Sequence, residues 1–266
     1  MAEVVGLVLG GLGLAGLFNN ALDCFEYIHI GKTFGGNFQT SLLKLDSARL
    51  KLSRWGEALG LSGGGIRDAA YLPDGIDDKD KVQAEMLLGQ ILMLFDDVGK
   101  ETDQFKSDGS LLEDAAAKKL PLPTQPLHQI MKKLASKRQN STNLSRKVKF
   151  ALYHESRVNR LIDDITHFTN DLVTLFPAIA EDQKKLCSDE VGKFTESLNV
   201  LAKAVEHHDG LLSTALSEIL KPAVSSTTAS SEILPCHSHH ARITPFKLRT
   251  TAVLWVWDKT LEIDSR

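Results

Sequence analysis

The sequence predicts an all-α protein, a single helical bundle of about eight helices followed by an irregular C-terminal tail. Apolar residues recur at three- and four-residue steps through most of the chain up to Lys221, clusters of Gly and Pro punctuate these runs, and no long segment before Lys221 alternates with period two. The 266 residues are 42% hydrophobic, 24% charged and 6% aromatic, a balance that excludes wholesale disorder, collagen and disulfide scaffolds. A net charge of -3 gives no global bias towards nucleic acid. Cys24, Cys187 and Cys236 are odd in number and widely spaced, which fits a reducing compartment.

Val4 to Leu22 forms a run of 19 residues without a charge, bounded by Glu3 and Asp23. As a helix it would measure about 28 Å, close to the roughly 30 Å hydrocarbon core of a bilayer. Length therefore permits a span. A secretory leader is not expected, because Met-Ala-Glu has no basic n-region and the first Lys or Arg is Lys32. Gly6, Gly10, Gly11, Gly13, Gly16 and the pair Asn19-Asn20 weaken the run as a permanent anchor, while Gly6-xxx-Gly10 suits a close helix–helix contact. A buried core helix, a constitutive span and a conditional span all remain open on the residues alone.

Residues 41–60 place Leu42, Leu45, Ala48, Leu52, Trp55 and Leu59 on one helical stripe, with Lys44, Asp46, Arg49, Lys51 and Arg54 between them, an amphipathic pattern. Ser62-Gly63-Gly64-Gly65, Pro73 and Asp74-Gly75 then mark a loop. Helical spacing resumes from Val82 to Val98, followed by a short Ala-rich piece at 111–119 and the break Pro121 to Pro126. Further helices are expected over about 127–139, 142–176 (stopped by Pro177), 181–208 and 211–220. From 222 to 266 the chain reads as a low-complexity linker and a β-prone tail, whose run Thr250 to Trp257 carries no charge.

Motifs for chemistry are weak. Gly31-Lys32-Thr33 ends like a phosphate loop, yet Glu26 stands where that motif needs Gly. Ser62-Gly63-Gly64-Gly65 reads as a flexible loop and not as a nucleophile elbow. Cys236-His237-Ser238-His239-His240 is too compressed to close a tetrahedral site alone, so no metal site is expected. His207-His208 suits a helix C-terminus, and no nucleophile, base and oxyanion donor assemble at a recognisable spacing. Neither catalytic residues nor a cofactor are expected. Charge placement says more: Leu127 to His154 holds Lys132, Lys133, Lys137, Arg138, Arg146, Lys147 and Lys149 and no acidic residue, whereas Asp74 to Ala116 holds twelve acidic and four basic residues. The basic stretch suits an anionic lipid surface, nucleic acid phosphates or the acidic segment of the same or another chain; sparse aromatics disfavour nucleic acid.

The stretch Gly13-Leu-Ala-Gly-Leu-Phe-Asn-Asn-Ala-Leu-Asp-Cys-Phe-Glu-Tyr-Ile-His-Ile-Gly-Lys32, with Phe34-Gly35, Leu45-Asp46 and Leu52-Ser-Arg-Trp-Gly-Glu-Ala58, resembles the HeLo domain of fungal prion-inhibition and heterokaryon-incompatibility proteins. Gln90 to Phe95 and Ala151 to Tyr153 extend the resemblance more loosely, to about residue 220. The resemblance implies a HeLo-like helical domain over 1–221, non-enzymatic and cytoplasmic, whose activated form moves to the plasma membrane, inserts its N-terminal helix and permeabilises the cell. Residues 1–22 would be the conditional membrane-inserting helix, through Val4, Val5, Gly6, Leu7, Val8, Leu9, Gly10, Leu12, Gly13, Leu14, Leu17 and Phe18. Asp23 and Glu26 stand at its interfacial end, where pairing with Lys32 or another basic residue would act as a latch.

The expected partners are the chain itself as a dimer or oligomer, an anionic membrane on activation, and an upstream amyloid- or receptor-type trigger; nucleic acid is not among them. Prion-forming family members carry a C-terminal pair of Asn-, Gly- and Val-rich repeats, and this chain has no Asn after Asn199 and no such pair. Where relatives can carry acidic residues it has Gly89-Gln90. The alternative from a different class is a soluble helical dimerisation module that never enters a bilayer.

Overall fold

The structure, a computed structural model, describes residues 13–26, 28–30, 37–62, 77–105, 124–139, 150–152 and 155–221. By its packing the chain divides into Met1–Pro222 and Ala223–Arg266. The described residues all belong to the first unit, and the tail from 222, with Cys236 and its histidines, lies outside them.

Among the described residues are eight α-helices: α1 Leu14–Glu26, α2 Phe38–Ala58, α3 Asp78–Phe105, α4 Thr124–Lys137, α5 Glu155–Leu175, α6 Ala180–Val191, α7 Leu198–Val205 and α8 Gly210–Leu220. The all-α expectation holds for the bundle, with one local exception. Strands β1 Ile28–Ile30 and β2 Phe150–Leu152 pair in parallel, with His29 opposite Ala151. The helix expected over 142–176 therefore begins only at Glu155. The six-residue step from Leu152 to Val158 already breaks the helical spacing there, and three-residue strands are too short to show a period of their own. The expected helix 181–208 is likewise two helices, α6 and α7, separated at Gly192 to Ser197. Ser197 takes a left-handed φ of 58°, which no regular helix tolerates. The Ala-rich piece at 111–119 lies outside the described residues.

Two apolar clusters share α2. Leu45, Ala48, Leu52, Trp55 and Leu59 join α1, α3 and α5, whereas Leu43 and Leu50, on another face, join α4, α6, α7 and α8. Gly60, at φ 77°, ends the helix: its N–H reaches Glu57 O and the Leu61 N–H reaches Gly56 O, a Schellman closure that satisfies the last carbonyls.

Burial on both faces corrects the amphipathic reading of α2. Asp46, Arg49, Lys51 and Arg54, expected between the apolar positions as a solvated face, are all buried. Each has a polar or charged partner distant in sequence. Arg54, with no exposed surface, donates from Nη2 to Glu190 Oε2 at 2.6 Å and to Asp209 Oδ2 at 3.1 Å. Burial disfavours its charge, but Asp209 and Glu190 outweigh that and hold its pKa well above the ordinary arginine value. Glu190 also accepts from Arg138, and Asp209 caps α8 by accepting from the Leu212 N–H at 3.2 Å. Lys51 donates to Asn170 Oδ1 and to His208 O at 2.9 Å. The Trp55 indole N–H donates to Leu172 O at 3.1 Å and so ties α2 to α5.

Arg54→Met should lower stability by about 3–5 kcal/mol in urea unfolding, because Glu190 and Asp209 would stay buried without their counter-charge. A loss under about 1 kcal/mol would mean that the carboxylates find other partners.

Candidate functional site: the seat of the first helix

The described part of the expected inserting helix, α1, packs its apolar side in a cluster with α2, α3 and α5, and the end of α4 meets its polar flank. Leu14, Leu17, Phe18, Ala21, Leu22 and Phe25 recur at three- and four-residue steps and are buried, so they form one stripe facing the core. Phe18 meets Trp55 edge-on with ring centroids 6.1 Å apart, and Phe25 meets Phe95 at 5.0 Å. Gly56 is what lets Phe18 in, because a Cβ on that residue would overlap the Phe18 ring. Fully burying a large apolar side chain is worth about 1.5–3 kcal/mol. Leu14, Leu17, Phe18, Leu22 and Phe25 together therefore hold α1 with at most about 8–15 kcal/mol.

A polar seam runs along another side of α1. Asn19, Asp23 and Glu26 follow at steps of four and three, so they line one flank of the helix. Asn19 donates to Ala15 O at 2.7 Å. Gln139, just beyond the end of α4, donates from Nε2 to Asp23 Oδ1, and to Asn19 O at 3.4 Å. Arg49 of α2 donates from Nη2 to Glu26 Oε1 at 2.9 Å, to Gln139 Oε1 at 3.2 Å and to Ser136 Oγ at 3.3 Å. The Ser136 hydroxyl also donates to Glu26 Oε1 at 3.3 Å. One guanidinium thus joins α1, α2 and the end of α4. Partial burial pushes the Glu26 carboxyl up, but the hydrogen bond and charge of Arg49, helped by Lys132 and Ser136, bring it below its ordinary value. The Glu26 side chain remains 38% exposed, so the ion pair is worth only about 0.2–1 kcal/mol.

Farther along α4, His128 Nδ1 pairs with Asp46 Oδ2 of α2. Burial lowers the His128 pKa, and the Asp46 hydrogen bond and charge overcome that and raise it, against opposition from Lys132 and Arg49. The folded protein therefore favours the imidazolium, and this stabilisation is full below about pH 6.5 and lost as pH rises through the raised value.

Of the residues expected to insert, Gly13, Leu14, Leu17 and Phe18 are described; Val4, Val5, Gly6, Leu7, Val8, Leu9, Gly10 and Leu12 are outside the described residues, as is Lys32. The Glu26 partner found in the structure is Arg49, the "other basic residue" the sequence left open. Of the expected basic patch, Lys132, Lys133 and Lys137 are exposed on α4, and Arg146, Lys147 and Lys149 are outside the described residues. Arg138 departs from the patch: it is 8% exposed and donates inward to Glu190, whose buried carboxylate attracts it more strongly than solvent does. Gln139 escaped the sequence reading because an amide in a turn carries no periodic or charge signal. No helix of the described residues is long and apolar enough to cross a membrane.

The sequence pattern of the HeLo family, described as prion-inhibition and propagation, matches residues 6–203. The chain belongs to the HeLo family. It is 32% identical over 236 residues to heterokaryon incompatibility protein s of Podospora anserina, spanning 86% of this chain and 79% of that protein. Heterokaryon incompatibility protein S of the same fungus is 31% identical over the same shares. The solved HET-S N-terminal domain superposes with a TM-score of 0.70 at 30% identity, covering 80% of this chain and 96% of that domain. A doubly substituted HET-s N-terminal domain gives 0.69 at 30% identity, covering 78% and 98%. The bundle described above is thus a HeLo fold, and the seat of α1 is part of it.

In this HeLo domain, Asp46→Asn should reverse the His128 shift: burial and the charges of Lys132 and Arg49 would remain, taking its titration below the ordinary value of 6.5 in side-chain NMR. A His128 pKa still above that value would show that Asp46 is not what holds the proton.

Proposed function

We propose that this protein is a non-enzymatic self-recognition and cell-death effector, held in the cytoplasm with α1 seated in the bundle and moving to the plasma membrane when α1 is released. The charge-free residues from Val4 onward, continued by the apolar stripe of α1, then insert and permeabilise the bilayer. The observation that carries this reading is the seat itself. A helix that contains the second half of a charge-free run is held at its C-terminal end by a small polar clasp, Arg49, Ser136 and Gln139 on Asp23 and Glu26. Membership of the HeLo family and likeness to incompatibility proteins support it.

Magnitudes explain why so small a clasp matters. The hydrocarbon of a bilayer is as apolar as the core, so most of the 8–15 kcal/mol roughly assigned to the seat is recovered when those side chains reach lipid. The polar clasp is not recovered, since Asp23 and Glu26 gain nothing from hydrocarbon. Its hydrogen bonds, at about 0.5–1.5 kcal/mol each, set the threshold for release. Self-association through Gly6, Gly10, Gly13 and Ala15 would stabilise the inserted state. An upstream trigger of the amyloid or receptor type would supply the remaining bias.

A second reading, a soluble dimerisation module, is favoured by one observation: Val82, Met86 and Met93, at steps of four and seven on one face of α3, are 55%, 54% and 44% exposed. Cys24 and Cys187 separate the two readings. Both thiols are free, and burial pushes both up to about 12, which makes them slow to react. Cys24 lies on α1, and Cys187 lies in the cluster that lacks α1. In a Cys236→Ser background with vesicles containing phosphatidylserine, release predicts dye leakage and fast alkylation of Cys24 with Cys187 still slow. Asp23→Ala should increase both signals without loss of helicity. Dimer formation with neither leakage nor Cys24 exposure would favour the module.

A further inference from the structure

The clasp and the exposed lysines share α4. Lys132, Ser136 and Gln139 follow at steps of four and three, so they stand on one line of the helix and its terminal turn, and Lys133 and Lys137 stand on the adjoining line. The line that grips Asp23 and Glu26 therefore begins with a solvent-facing cation. No residue of 124–139 is acidic. Ile130 and Leu134, only partly buried, lie among these lysines. Lysines around partly exposed aliphatic side chains suit a bilayer interface, where ammonium groups meet phosphates and the exposed aliphatic edges meet the acyl boundary. Nucleic acid would call for interleaved aromatics, which α4 lacks.

The first of these cations also steadies the clasp. Lys132 acts on the Glu26 carboxyl in the same direction as Arg49 does, favouring its charged form. A phosphate layer on Lys132, Lys133 and Lys137 would neutralise that help and set negative charge beside Asp23 and Glu26. Arg138, buried against Glu190, would keep the end of α4 in place meanwhile, so the effect falls on α1.

Resting on the proposed effector function, we infer that the exposed face of α4 is a docking surface for anionic membrane, and that its occupation weakens the clasp on α1. The membrane would then be a participant in release as well as its destination.

The test uses the full chain with Lys132→Gln, Lys133→Gln and Lys137→Gln combined, in the Cys236→Ser background. The readouts are sedimentation with phosphatidylserine/phosphatidylcholine vesicles and the rate of Cys24 alkylation. Near an anionic surface each lysine contributes about fivefold, so vesicle affinity should fall about 100-fold, and the acceleration of Cys24 alkylation by vesicles should vanish. Pure phosphatidylcholine should neither bind nor accelerate. Undiminished binding by the triple variant would overturn the docking surface. Binding without Cys24 acceleration in the unsubstituted chain would overturn the coupling. Equal acceleration by inorganic phosphate or duplex DNA would overturn the assignment to a membrane. Gln139→Ala, which opens the clasp directly, keeps the two levels apart. If it alkylates quickly at Cys24 yet causes no leakage, the effector reading fails, whereas leakage by this variant alongside unaltered behaviour of the lysine variant would sink only the present inference.

Discussion

A guanidinium with no access to solvent organises this bundle. Arg54 sits in the middle of the molecule because α2 is packed on both faces, and a charge there is tolerable only if carboxylates come to it. Glu190 and Asp209 do so from the end of α6 and from the turn before α8. Asp209 can serve Arg54 only from the cap position that also starts α8, and Glu190 also draws in Arg138 at the end of α4. One buried charge thus fixes where α4, α6 and α8 stop or begin. Apolar packing alone accepts many sliding arrangements of helices; an ion pair needs its partners within hydrogen-bond distance, and this gives the bundle a single register.

The seat of α1 rests on that arrangement. Residues of α1 belong to the cluster shared with α3 and α5, and none to the cluster around α4, α6, α7 and α8. Departure of α1 would leave the Arg54 network and the second cluster whole. The clasp is built from the same helix ends that the network positions: Arg138 turns inward to Glu190, and the next residue, Gln139, turns to α1. Under the proposed function, the Arg54 network and the second cluster would stay in place while α1 is released.

The family was legible in the sequence, through the dense run from Gly13 to Lys32 and the Leu52 to Ala58 segment, and the helical spacing of the bundle was legible with it. The polar interior was not. Arg54 finds Glu190 at a separation of 136 residues and Gln139 finds Asp23 at 116, and nothing local marks such pairs. Lysines and arginines between apolar positions ordinarily mean a solvated face, and α2 breaks that rule because it is packed from both sides. Asp23 and Glu26 stand out in the sequence by their place after a charge-free run, but their partners belong to tertiary structure. The short pairing of β1 with β2 was invisible for the same reason.

The central claim is that α1 must leave its seat beside Gly56 for the protein to act. Phe18→Cys with Gly56→Cys, in a chain otherwise freed of Cys24, would place two thiols where the Phe18 ring now meets the backbone of α2. Dye release from phosphatidylserine-containing vesicles should be absent when that pair is oxidised to a disulfide and should return on reduction. Equal leakage by the oxidised and reduced chains would show that α1 stays seated while the membrane is breached, and would contradict the account.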